Sequence, residues 1–422
     1  MRPVLTGPVA TFVAAFVGGF AFCPALGAMT GMGSSASALD TSGAVKLRLC
    51  APAWRYIGEQ KPQDVAKDFT VVFGRMPPAD FHQGNPGCKC LAYTLGPYVA
   101  KALLTKLPAE ALAHGSTGEV VKARAWANWL VCPDNPKWIE YITETNRKAM
   151  ESDFDGLFVD SMGTAPVESN YVLSPAINPK TGKPYTKSEW LAAECVMLDA
   201  IRKALPKGKL LTLNGLGPGK RYWTEPENES PRVLLKYVDG AMSESIWRAA
   251  PAKLADWPSP EGWMGDVKMI QDVERRGLMG FWWTKCWTDG NTSNNEPNAK
   301  VLVPQWRRFA LASYLLAAGP RSYFNFDTMK NDKPKSNAAE RFPEYEAPLG
   351  TATGPMEEVQ GKGVYRRPFS NGFVIVNPGD KAVEGIDLPA TKGAPLYSWG
   401  EDRTVASPLT VAAHTGLILT PR

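Results

Sequence analysis

The links between the repeating patterns of this chain are lopsided. Four helical patterns enter apolar runs through one to three residues, at 152–153, 206–208, 277 and 319–320. The ways out of the apolar runs are long, at 163–185, 215–231 and 286–303. Strand and helix patterns that alternate imply parallel strands joined by crossover helices. When such strands close into a barrel, all strand-to-helix loops share one face, and catalytic groups sit there. Long loops on that face alone mark it as the working end.

Eight apolar runs carry the pattern: 45–50, 69–73, 90–95, 156–160, 209–213, 238–243, 278–284 and 321–326. The fourth contains Leu157-Phe158-Val159, an unbroken apolar triplet that suits a strand buried on both faces. Segment 123–132 reads as a short extra strand. Asp134-Asn135-Pro136 starts a helix running to about residue 151, with a capping side chain and Pro in the first turn. Thr186 and Glu189 have capping-box spacing. Leu191, Cys195, Leu198, Ile201 and Leu205 then share one helical face. Further helices are expected at 266–276 and 304–318. The fold class is therefore α/β, a (β/α)8 barrel over residues 44–335.

A polar passage at 330–358 precedes a change of character. Tyr365-Arg366-Arg367-Pro368-Phe369-Ser370-Asn371-Gly372-Phe373 reads as a hairpin with Asn-Gly at its turn. Short strands at 382–388, 395–397 and 417–419 complete a small all-β sandwich over residues 355–422.

The net charge of +5 on 422 residues, without basic runs, gives no footprint for nucleic acid. Three His argue against a histidine-rich metal site and against Ser-His-Asp chemistry. Neither a GxSxG elbow nor a Walker-type loop occurs, and no metal or organic cofactor is expected. Residues 1–38 read as a signal peptide and leader. Arg2 is followed by an apolar run at 9–22, too short to span a membrane comfortably. Small residues stand at Ala25-Leu26-Gly27 and Ala36-Ser37-Ala38. The mature protein is expected to be secreted or periplasmic, with no membrane attachment after cleavage. Six cysteines then remain, compatible with disulfides or with buried thiols. The pattern implies no oligomeric state.

Three polar residues directly follow successive runs: Asp160 after the fourth, Asn214 after the fifth and Glu244 after the sixth. Each alone reads equally as a turn residue or cap. Together at one barrel face, two carboxylates can flank a glycosidic bond, one ionised and one holding a proton. Asn214 between them suits a substrate hydroxyl. Trp54, Tyr93, Trp247, Lys285, Trp287, Asn325 and Asp327 lie at or near other strand ends and are candidate sugar contacts, since aromatic faces stack on sugar rings. Asp160 is expected to be the nucleophile and Glu244 the general acid/base, covered by Ile246 and Trp247. A retaining course is expected, because the two strands are separated by only one.

The motifs FDGLFVDS at the fourth strand, LNG at the fifth, MSES at the sixth and FALASYLLAAGPRSYFNFD toward the eighth resemble a group of bacterial proteins. That group is hypothetical glycosyl hydrolase family fifteen, distantly akin to endo-polygalactosaminidase-type barrels. YRRPFSNGFVIVNP and the small β-domain are similar to it as well; residues 101–129 match least. The resemblance implies a barrel hydrolase acting on a carbohydrate, with Asp160 and Glu244 at the acidic pair. Two rivals stand beside it. A glycan-binding protein on the same fold would be expected to have lost one carboxylate, and neither is missing. A structural protein would not need long loops on a single barrel face.

Overall fold

The computed structural model describes residues 47–52, 61–249, 252–286, 296, 298–328, 342–389 and 395–421. The leader at 1–38, Trp54 and Trp287 lie outside these residues.

Eight parallel strands form one sheet in chain order: β1 Cys50–Pro52, β2 Val71–Gly74, β3 Lys89–Leu95, β4 Gly156–Asp160, β5 Leu210–Asn214, β6 Gly240–Ser243, β7 Met279–Lys285 and β8 Ser322–Asp327. The sheet closes on itself. Leu49 bridges Phe324 in parallel, and the Phe324 amide donates to the Arg48 carbonyl at 2.9 Å. Helices α1 Pro62–Ala66, α2 Pro78–His82, α3 Pro136–Ala149, α4 Lys187–Ala204, α5 Gly219–Tyr222, α6 Pro260–Arg275 and α7 Ala299–Ala317 follow successive strands. This is an α/β (β/α)8 barrel. No described helix is long and apolar enough to cross a membrane.

Strand alternation sorts the core into two layers. Phe73, Phe158, Met242, Phe281 and Trp283 fill the barrel interior, with the Phe73 and Phe158 rings stacked at 4.0 Å. Leu157, Val159, Leu211, Leu213 and Phe324 point outward into the layer beneath the helices.

The caps follow the local sequence. Asn135 accepts from the Lys137 amide ahead of Pro136, and Thr186 and Glu189 make the full capping box. Several boundaries differ from expectation. The described first strand is Cys50–Pro52. Helix α6 begins at Pro260, where the Ser259 side chain accepts from the Gly262 amide; this cap precedes the apolar stripe that marks the helix in sequence. Helix α7 begins at Ala299 and carries Pro304 inside it. Pro304 is its sixth residue, so the missing N–H removes one intrahelical bond just past the first turn. Residues Asn128–Leu130 do form a strand, but it pairs antiparallel with Tyr98–Ala100 inside the loop between β3 and α3. It is an excursion on the barrel face, not part of the wall.

Beyond the barrel lie β9 Glu357–Glu358, β10 Tyr365–Phe369, β11 Gly372–Asn377, β12 Val383–Ile386, β13 Leu396–Ser398, β14 Arg403–Val405, β15 Leu409–Val411 and β16 Thr415–Pro421. Six form an antiparallel sheet in the order β9-β10-β11-β16-β13-β14, and β12 pairs with β15. This is the C-terminal sandwich, with β9, β14 and β15 in addition to the expected strands. The hairpin turn is one residue from its expected place: Phe369 pairs with Gly372, so Ser370 and Asn371 make the loop. The sheet lies on α7. A Cβ at Gly416 would stand 2.6 Å from Ala312 Cβ. The Arg367 guanidinium donates to the Leu315 and Ala318 carbonyls at 2.9 and 2.7 Å, placing a cation at the helix C-terminus, where it is favoured. The six described cysteines are free thiols, five of them buried.

Candidate active site

Strand parity puts five polar residues at one end of the interior. Phe158 points inward, so Asp160, two residues on, does too. The same count from Leu91 reaches Tyr93, from Met242 reaches Glu244, and from Phe281 and Trp283 reaches Lys285. Asn214 pairs in register with inward-facing Met242. Parity likewise turns Asn325 and Asp327 inward beside Tyr323; both are buried, and in register they adjoin Trp283 and Lys285.

Asp160 accepts a hydrogen bond on each carboxylate oxygen. Tyr93 Oη donates to Oδ2 at 2.5 Å, and Asn214 Nδ2 donates to Oδ1 at 2.7 Å. Burial, then the nearby charge of Glu244, push the Asp160 carboxyl above its ordinary range, while the two donors oppose that rise. The Tyr93 phenol is pushed well up, by burial first and then by Asp160. Arg75, after β2, stands 5.9 Å over the Tyr93 ring. Glu244 is half-buried, and Lys285 Nζ donates to its Oε2 at 2.7 Å. The same ammonium lies 4.0 Å from the Trp283 ring centroid.

Ile246 and Trp247 do not cover Glu244. Both are buried in the outer layer beneath the helices. Trp247 takes φ 57, in the left-handed region, which turns the chain out of the strand direction. Its ring is packing rather than an open sugar platform. Tyr93 and Lys285 were expected against substrate; in this structure they contact the two carboxylates.

Residues that the sequence did not single out hold the loops of this face. Glu194 on α4 is fully buried. It accepts from the Gly163 amide at 2.9 Å and from Trp190 Nε1 at 3.1 Å, and burial pushes its carboxyl well up. Gly163 has φ 83, and a Cβ there would meet the Gly215 carbonyl oxygen at 2.4 Å, so the loops after β4 and β5 touch through backbone. Asp266 on α6 does the same for the next pair. It accepts from the Gly219 amide at 2.5 Å and the Trp247 amide at 2.7 Å, and burial pushes its carboxyl up to about 7. Arg248, also buried, donates to the Lys285 carbonyl at 2.6 Å and steadies the end of β7. A signal existed for the two acids: each interrupts the apolar stripe of its helix, Glu194 between Trp190 and Leu198, Asp266 between Trp263 and Ile270. A carboxyl on a buried stripe must find donors.

The arrangement can hold two carboxyl groups in different states, one ringed by donors and one paired with a cation, at the open end of a barrel. Comparison with known proteins gives the family. The model of hypothetical glycosyl hydrolase family 15 matches residues 106–373, more than half of the chain. No curated protein matches. Among solved structures, the chain is similar to the glycoside hydrolase domain of PelA from Pseudomonas aeruginosa, at 15% identity and TM-score 0.43 over 70% of this chain and 98% of that one. It is also similar to the maltogenic alpha-amylase AmyB from Thermotoga neapolitana, at 12% identity and TM-score 0.49 over 89% of this chain and 98% of that one.

Proposed function

The chain belongs to hypothetical glycosyl hydrolase family 15, and from that premise we propose that it hydrolyses glycosidic bonds in a poly- or oligosaccharide, with Asp160 and Glu244 as the reacting carboxyl groups. The observation that carries this is the donor set on Asp160. Both of its oxygens accept hydrogen bonds, from Tyr93 and Asn214, which favours the ionised form that a nucleophile needs. Asp160 attacks the anomeric carbon. Glu244, reaching from the end of β6, protonates the leaving oxygen, and afterwards takes a proton from the water that releases the sugar. The outcome is retention. Lys285 pairs with Glu244, and substrate must loosen that pair for Glu244 to carry a proton. Asn325 and Asp327, on the same inward face, contact the sugar. Export by the N-terminal leader places the activity outside the cytoplasm. N-terminal sequencing of protein from the native host tests that part, and retention of Met1 would overturn it.

The same geometry favours a second assignment. Asp160 is the carboxyl whose affinity for a proton is raised, while Glu244 has the counter-ion. On that assignment Glu244 attacks and Asp160 is the acid. Azide separates the two. Hydrolysis is first found by scoring new reducing ends on a polysaccharide panel. A variant lacking the acid/base, given azide and an activated glycoside, yields a glycosyl azide of retained configuration; one lacking the nucleophile yields the inverted product. Glu244→Ala is expected to give the retained product. If Asp160→Asn and Glu244→Gln both hydrolyse as well as the parent, neither carboxyl is catalytic.

A further inference from the structure

A separate set of metal-ligating side chains lies at the opposite end of the barrel. His82 closes α2, Cys90 is the second residue of β3, and Asp155 immediately precedes β4. Cys90 and Asp155 stand at strand beginnings and His82 ends the helix that leads into β3, whereas Asp160 and Glu244 stand at strand ends. One ligand atom from each lies within 4.8 Å of the others. His82 Nε2 is 3.8 Å from Cys90 Sγ and 3.9 Å from Asp155 Oδ2. Ligands arranged tetrahedrally at about 2.0–2.3 Å from a zinc ion are roughly 3.3–3.8 Å from one another, so these atoms need to close by only a small amount. Cys88 adds a fourth group. Two residues before Cys90, it brings a second thiol close enough to act on the Cys90 thiol, and both cysteines are 1% exposed.

We infer that His82, Cys88, Cys90 and Asp155 form a binding site for a zinc-class divalent cation that pins α2 to the starts of β3 and β4. The donor set, two thiolates, an imidazole and a carboxylate, is one that zinc prefers over magnesium or calcium. The charges balance. Two thiolates and one carboxylate face the divalent ion and the Lys89 ammonium, which donates to Asp155 Oδ1 at 2.9 Å. Asp155 is already oriented: the Cys90 amide donates to Oδ2 at 2.8 Å, and Lys89 occupies the other oxygen, the kind of outer support that metal-bound carboxylates have. His82 Nε2 faces the Cys88 carbonyl at 3.1 Å. On binding, Nε2 turns its lone pair to the ion and the ring proton resides on Nδ1, while the two thiol protons pass to solvent. A fully coordinated site of this kind is structural, and it lies at the barrel end that serves stability.

The test uses the full chain, reduced and freed of metal, titrated with cobalt(II). One equivalent should produce the near-ultraviolet thiolate-to-cobalt charge-transfer band and the visible bands of tetrahedral cobalt, and zinc(II) should abolish both. Cys90→Ser and His82→Ala should each lose the bands at one equivalent. Cys195→Ser, a thiol outside the cluster, should keep them. His82 is partly exposed, so its variant should keep the circular dichroism of the parent. Absence of a charge-transfer band in the parent would overturn the inference. So would a band that survives in both cluster variants, or a Cys88–Cys90 disulfide in protein purified without reductant.

Discussion

Lys285, at the end of β7, donates to Glu244 across the top of the barrel at 2.7 Å. The ammonium is buried and packs on Trp283, so it is a fixed countercharge rather than a surface lysine. Removing it leaves Glu244 without its counter-ion. Lys285→Met is expected to lower kcat/KM at least tenfold while the fold is kept. An unchanged kcat/KM would separate Lys285 from the work of Glu244.

Tyr93→Phe removes one of the two donors to Asp160 while keeping the ring that packs in the interior. A hydrogen bond to a charged group contributes about 1.5–3 kcal/mol, so kcat should fall roughly ten- to hundredfold. Thermal stability should change little. A loss confined to KM would place Tyr93 in substrate binding alone.

Asp266 makes stability depend on pH. Its folded-state carboxyl titrates at about 7 against an ordinary 3.8, so between these values the folded state holds a proton that the unfolded state has released. Stability therefore falls as pH rises from about 4 to 7, by up to roughly 1.4 kcal/mol per pH unit. Asp266→Asn is less stable at pH 4, because it cannot accept from both the Gly219 and Trp247 amides, but its melting temperature should decline less across that window. Parallel curves for the two proteins would refute the assignment.

Gly416 sits where β16 meets α7, with the Ala312 Cβ 2.6 Å from the place its own Cβ would occupy. Gly416→Val should destabilise the protein by about 1–3 kcal/mol through overpacking. Chemical denaturation would measure it. A loss within experimental error would mean that the sheet can move away from the helix without cost.

The local sequence determined the wall of the barrel and the direction of its side chains. Strand geometry turns alternate residues to opposite faces, so once Phe158 was inside, Asp160 was as well, and Asn214 and Glu244 followed from their own strands. Loop lengths chose the end at which they open. Only the tertiary structure decided what each acid meets. Tyr93 and Asp160 are 67 residues apart, and Lys285 and Glu244 are 41 apart. Their pairing depends on how the strands are staggered around the closed sheet, which no local pattern encodes. Trp247 looked like part of the site by position, yet its left-handed backbone carries the ring into the outer layer. Glu194 and Asp266 looked like breaks in helical stripes. In the folded chain they are acceptors for loop amides supplied by residues 19 to 47 positions away. Burial makes such bonds necessary, and only the three-dimensional neighbourhood supplies the partners.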